Sequence, residues 1–181
     1  MKKLALWTLS TIFLSGCLGM PEGVKPVTDF RAQHYLGRWY EIARLDHSFE
    51  RGLSDVTAEY RLESDGRITV INCGFSGQEN RWKDAVGKAY PAGESPSVGH
   101  LKVSFFGPFY GSYIIFDLDK NDYQYAYVSG PSKKYLWLLS RTPSISEESF
   151  TRFVDTASSL GFDTSQLIRV RHTGRQCPSR E

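Results

Sequence analysis

The sequence predicts an all-β protein: an eight-stranded antiparallel up-and-down barrel with one C-terminal α-helix packed outside it. Three observations predict this fold. Aromatic residues make up 14% of the 181-residue chain and stand beside 16 Gly and 8 Pro, a composition suited to strands and tight turns. Eight short runs of alternating or continuous apolar character recur between turn signals. A single later segment changes to the helical period.

The expected strands are residues 39–44, 56–62, 68–75, 82–90, 100–106, 112–118, 123–129 and 135–140. Hairpin-sized loops at Ser64-Asp65-Gly66, 108–111, Lys120-Asn121-Asp122 and Gly130-Pro131-Ser132 join neighbours, as in a meander. Eight such strands can close into a barrel whose interior holds one small ligand. The helix is carried by Phe150, Phe153, Val154, Ala157 and Leu160, which share one face at helical spacing. Ser146 is its candidate N-cap, Glu147 and Glu148 sit in the first turn, and Gly161 follows the end. The outside of the barrel is the surface on which this stripe can be buried. A final strand is expected at residues 166–171.

The first residues carry an address. Met1-Lys2-Lys3 precedes an apolar run at residues 4–14, too short to cross a bilayer core of about 30 Å as a helix. The run ends in Leu14-Ser15-Gly16-Cys17, which resembles the bacterial lipobox, where the signal peptide is cut before a cysteine that is then acylated. The expected organisation is a signal peptide at 1–16, a lipidated Cys17 and tether at 17–29, one domain at 30–172 and a tail at 173–181. Acyl chains contribute roughly 0.8 kcal/mol per buried CH₂, so three of them anchor far more firmly than one. By analogy with enteric sorting, Leu18 in place of Asp after the cysteine points to the outer membrane, with the domain in the periplasm. Cleavage removes Lys2 and Lys3 from 22 basic residues and none of the 20 acidic ones, so the mature chain has no formal net charge. That argues against nucleic acid as a partner.

Gly37-Arg38-Trp39-Tyr40 resembles the G-x-W signature that opens the first strand of lipocalins, and Leu139-Ser140-Arg141-Thr142 stands where that family ends its eighth strand. The resemblance implies a plug at the closed end made by Gly37, Trp39 and Arg141, the arginine lying across the indole. The family's central Thr-Asp-Tyr is altered here to Leu118-Asp119-Lys120-Asn121-Asp122-Tyr123. Longer matches, at residues 39–44, 49–53, 102–111 and 135–143, are similar to bacterial outer-membrane lipoprotein lipocalins, the branch related to apolipoprotein D. That likeness implies a binding protein without cofactor or catalysis. Its ligand would be a fatty acid or lysophospholipid, its role envelope maintenance under stress, and its state in some members a homodimer.

With Arg141 and Trp39 inside the barrel, period-two alternation turns Leu139, Trp137 and Tyr135 inward. The same rule directs Ala58, Tyr60, Ile68, Val70, Asn72, Leu101, Val103 and Phe105 to the interior, because Glu59, Arg61, Lys102 and Ser104 occupy the opposite faces. Tyr113 and Ile115 are assigned inward by the resemblance. The expected ligand contacts are Ala58, Tyr60, Val70, Asn72, Val103, Phe105, Tyr113, Ile115, Tyr135 and Trp137, with Tyr60, Tyr113 and Tyr135 toward the open end. An aliphatic and aromatic wall with a few hydroxyl or amide groups suits an acyl chain with a small polar head. Glu41 shares the parity of Trp39. It is therefore either exposed at a twist or bulge, or buried with a raised pKa, and a structural role is favoured over head-group recognition.

Cys73 and Cys177 remain once Cys17 is acylated, either bridged, as many lipocalins tie the barrel wall to the C-terminal segment, or as two free thiols. The alternatives to lipid binding are a lipid esterase or isomerase of the same fold, or a haem or tetrapyrrole binder. Cys73 has outward parity, no G-x-S-x-G is present, and His34, His47, His100 and His172 lack zinc spacing. Each histidine is expected at a solvated loop or edge, and no metal site is expected.

Overall fold

The computed structural model describes residues 19–93 and 95–178. The signal segment and Cys17 therefore lie outside the described residues. A short helix α1 (Ala32–Tyr35) leads into β1 (Gly37–Arg44), β2 (Leu53–Leu62), β3 (Ile68–Ser76), β4 (Arg81–Pro91), β5 (His100–Ser104), β6 (Gly111–Leu118), β7 (Tyr125–Ser129) and β8 (Leu136–Ser140). Every consecutive pair is antiparallel, and β1 pairs with both β2 and β8, which closes the barrel. Helix α2 (Glu147–Ser159) follows, then a 3₁₀ turn at Thr164–Gln166 and a two-residue strand β9 (Ile168–Arg169) beside β1. The ninth strand is thus shorter than expected, because the 3₁₀ turn takes up Gln166.

β1 changes partner halfway. Its first four residues pair with β2, a register shift falls between Glu41 and Ala43, and Ala43 and Arg44 then pair with β9. The bulge reverses side-chain parity: Trp39 and Glu41 are on one face and Ala43 joins the outer layer.

Two apolar layers result. The interior holds Trp39, Tyr60, Val70, Ala89, Leu101, Ile115, Ala126, Val128 and Leu139. The outer layer packs Ile42, Ile114, Tyr127, Leu136 and Leu138 of the wall against Phe153 and Ala157 of α2. Ser146 caps that helix by accepting a hydrogen bond from the Ser149 amide at 3.2 Å, and Gly161 beyond its end takes φ +79°. Gly87 has a packing reason: a Cβ there would stand 2.8 Å from the Phe105 ring.

Both flanking segments pack against the barrel. Val24 is buried in the outer layer, and Val27 bonds through its backbone to Ile115 and Gly99. At the other end a disulfide joins Cys73 to Cys177, with Cα atoms 6.2 Å apart. Asp55, in a bulge of β2 with φ +51°, accepts hydrogen bonds from the Thr173 amide and hydroxyl. These bonds draw its carboxyl below the ordinary range although burial acts the other way.

Candidate functional site

The barrel has a closed end, where α1 enters, and an open end carrying the β1–β2, β3–β4, β5–β6 and β7–β8 loops. At the closed end the Arg141 guanidinium lies 3.9 Å from the Trp39 ring centroid. It donates to the carbonyls of Arg38, His34 and Tyr123 at 2.8, 2.8 and 3.2 Å. Trp39 in turn donates its indole proton to the Tyr35 carbonyl at 2.8 Å. Gly37 has φ +87°, a conformation that strains a residue bearing Cβ, and lies next to the Arg141 guanidinium. The altered β6–β7 loop is organised by Asp119, whose carboxylate accepts from the amides of Asn121, Asp122 and Gln124.

Above the plug, Tyr35, Tyr60 and Tyr113 bring their hydroxyls together: Tyr113 Oη lies 2.7 Å from both Tyr35 Oη and Tyr60 Oη. Burial raises all three phenols, so the cluster remains protonated at neutral pH. This corrects the expectation that Tyr60 and Tyr113 line the mouth. Both belong to the lower interior, because Tyr35 of α1, a residue that strand parity does not address, rises from the closed end to meet them.

The expected contact residues fall at two levels. Tyr60, Val70 and Ile115 are buried beside the plug, together with the less fully covered Tyr113, whereas Ala58, Asn72, Val103, Phe105 and Trp137 are only half-buried. Ala85, which pairs with Asn72 across β3 and β4, is exposed. Inward-directed side chains that stay accessible mark an upper interior open to the mouth. Tyr135 lies just before β8 and stacks on Trp137 with centroids 6.1 Å apart.

The mouth also holds a polar cluster that strand parity only half revealed. Glu41 is buried and accepts from Arg44 Nη1 at 2.6 Å. Arg44 Nη2 donates to the Glu50 carbonyl at 2.7 Å, and Glu50 Oε2 accepts from the Trp137 indole at 3.1 Å. Burial first, and then the charge of Glu50, hold the Glu41 carboxyl well above the ordinary range against the pull of Arg44. Of the alternatives open for Glu41, burial with a raised pKa is the one realised, and the bulge supplies its partner by turning Arg44 inward.

His47 corrects a second expectation. It is buried, only 7% exposed, and sandwiched among Phe49, Tyr135 and Trp137. The β1–β2 loop folds inward over the mouth, so the residue's position in a loop did not imply solvent. Its Nδ1 lies 3.1 Å from Glu50 Oε2 but out of line for a hydrogen bond. Sequence reasoning missed Tyr35, Arg44 and Glu50 as well. The one available signal was the need of an inward Glu41 for a cation within a few residues.

A closed eight-stranded barrel, plugged by Arg141 over Trp39 and accessible from the opposite end, is the architecture of a small-ligand carrier. A family model described as a lipocalin-like domain matches residues 30–172, and the chain belongs to that family. It is 58% identical over 163 residues to the outer membrane lipoprotein Blc of Vibrio cholerae, covering 90% of this chain and 95% of that protein. Identity to the Blc of Escherichia coli K12 is 51% over 154 residues, 85% of this chain and 86% of that one. Among solved structures, insecticyanin of the tobacco hornworm Manduca sexta superposes with a TM-score of 0.68 at 23% identity, covering 86% of this chain and 88% of that one, which shows the shared fold. With such relatives, the protein is a membrane-associated lipocalin, lipid-anchored at the outer membrane.

Proposed function

We propose that this lipocalin binds fatty acids or lysophospholipids in its barrel and stores or carries them in the cell envelope, supporting membrane maintenance under stress. The observation that carries this reading is the accessible upper interior, whose half-buried wall is formed by Ala58, Val103, Phe105 and Trp137 around one amide, Asn72. Apolar walls of this kind draw an acyl chain out of water at about 25 cal/mol per Å² buried. The work is burial of a chain, with no covalent step. Acylation of Cys17 keeps the carrier at its membrane.

Native mass spectrometry of the protein purified from the envelope without detergent, followed by solvent extraction, tests the ligand class. A bound fatty acid or lysophospholipid is the expected result. A barrel that stays empty with added lipid, yet turns over an ester or takes up haem, would reverse it. Cys17→Ala is expected to move the protein from the membrane fraction to the soluble periplasm, as followed by fractionation.

A further inference from the structure

We propose that the C-terminal segment 168–173 is a removable stave in the barrel wall and that the Cys73–Cys177 disulfide is its lock, so that reduction of this bond by a dithiol opens a lateral gap between β1 and β2 and speeds release of the bound ligand.

The gap is built into the pairing. β1 and β2 are joined directly from Gly37 opposite Tyr60 up to Tyr40 opposite Thr57. Beyond that level β1 keeps β8 on one edge, through Glu41, Ala43 and Arg44, while its other edge meets the C-terminal segment in place of β2. The Val170 amide donates to the Ile42 carbonyl at 2.9 Å, and the Asp55 amide of β2 donates to the Arg171 carbonyl at 2.9 Å. One segment thus serves both edges, which without it would present unpaired backbone groups. Side chains add to the seam: His172 Nε2 donates to the Glu41 carbonyl at 2.8 Å, and the Asp55 carboxylate accepts from the amide and hydroxyl of Thr173. Glu41 and Arg44, on this stretch of β1, carry the polar cluster of the upper interior, and Ala58 of the half-buried wall stands at the lower end of the gap. The gap therefore gives onto the space assigned to the ligand.

The stave has little of its own to keep it in place. None of residues 168–178 is buried, so apolar burial contributes little, and segments held mainly by exposed hydrogen bonds are the first to open. One end is fixed to α2: Arg169 donates two hydrogen bonds to the Glu147 carboxylate, at 2.7 and 2.6 Å, and its guanidinium lies 3.6 Å from the Phe150 ring centroid. The other end is held to β3, by Arg175 over the Phe75 ring at 4.2 Å and by the disulfide. A covalent tether keeps the segment at high local concentration beside its site. Once it is cut, closing the seam has to order a free tail.

Reduction is a two-electron exchange. Cys177 is part-exposed and Cys73 buried, so a thiolate of the dithiol attacks Cys177; the S–S bond breaks and Cys73 leaves as a thiolate that takes up a proton. The second thiolate of the reductant then displaces Cys177 from the mixed disulfide. The reductant ends as a disulfide, and its two protons end on Cys73 and Cys177.

This inference rests on the lipid reading above, and the test separates the two. The full chain bearing Cys17→Ala, which leaves this cysteine pair alone, is loaded with dansyl-labelled undecanoic acid and compared before and after treatment with dithiothreitol. Failure of the oxidised protein to take up the probe would overturn the lipid reading, and the gate with it. With the probe bound, release is expected to be several-fold faster after reduction. Cys177→Ser should match the reduced rate without reductant, whereas Asp55→Asn, which keeps the disulfide, should release slowly. Amide hydrogen exchange is expected to rise by about tenfold or more at Asp55 and Val170 on reduction while the Arg141 amide, bonded to the Gln124 carbonyl at the closed end, keeps its rate. Unchanged release, unchanged exchange at the seam, or an equal rise at Arg141, which would mean a general loosening of the barrel, would each overturn the proposal. Fast release from oxidised Asp55→Asn would place the lock at that carboxylate and overturn it too. Because dithiothreitol acts on protein already folded, the outcome does not depend on whether Cys177→Ser folds.

Discussion

At the closed end of the barrel one guanidinium lies on one indole and every donor of the pair meets a carbonyl; at the open end Glu41, Arg44, His47 and Glu50 crowd together with polar atoms left over. Arg44 Nε and His47 Nε2 are buried without a hydrogen-bond partner, and His47 Nδ1 has only the misaligned Glu50 carboxylate beside it, whereas on the closed-end turns Arg67 Nε is the one such atom among the described residues. Each such group costs about 1–3 kcal/mol. The closed end also sits under Tyr35, Tyr60 and Tyr113, whereas the open end carries its most apolar side chains in water. The same β1 strand serves both. Before its bulge it pairs with β2 and contributes Trp39; after it, it leaves β2 and contributes Arg44. One end is arranged for stability, and the other retains unfavourable exposure and desolvation.

The sharpest way to break this contrast is to truncate one aromatic residue at each end. Trp39→Ala is expected to lower stability by about 3–5 kcal/mol in urea unfolding, because it empties a fully buried site and leaves Arg141 without its ring. Phe106→Ala is expected to change it by less than about 0.5 kcal/mol, since the ring is in solvent. Comparable losses would show that the mouth is as tightly constructed as the plug.

A smaller effect separates binding from folding. Val103→Asp places a charge on the half-buried inner wall and is expected to weaken fatty-acid binding at least tenfold, about 1.4 kcal/mol, in displacement of a fluorescent acyl probe. The circular dichroism of the folded barrel should persist. Unchanged affinity would remove Val103 from the ligand's path.

The smallest effect tests the polar cluster through pH. Glu41 holds its proton more tightly folded than unfolded, so the folded state binds more protons above the ordinary value near 4.5. Its contribution is therefore fully present below that pH and is lost as pH rises through the raised folded value. Glu41→Gln, neutral throughout, is expected to flatten that part of the fall in urea midpoint between mildly acidic and mildly alkaline buffer. An unchanged slope would place the shifted proton elsewhere in the cluster.

The inward faces of β2, β3 and β5 were legible because Glu59, Arg61, Lys102 and Ser104 set the outward parity, and that of β8 because the lipocalin resemblance put Arg141 against Trp39. Helix α2 was legible to its cap, since Ser146 and the stripe from Phe150 to Leu160 are local signals. Tyr35, His47 and Glu50 were not, because they sit on α1 and on a loop, where no period relates a residue number to a direction. Tyr60, by parity, and Tyr113, by the resemblance, were turned to the correct side but put at the wrong height, since neither signal says anything of depth.

The sequence by itself determined the barrel, its outer helix and much of the apolar inner wall, for these depend on local period and on residue type, while the plug of Trp39 and Arg141 came from the resemblance to lipocalins. Only the tertiary structure decided which level of the interior is sealed and which is accessible, how Glu41 is matched by Arg44 across a bulge, and that the chain at Gly19 lies against the β7–β8 loop. Those outcomes depend on side chains meeting across distant strands and loops, where packing and desolvation rather than propensity decide the arrangement.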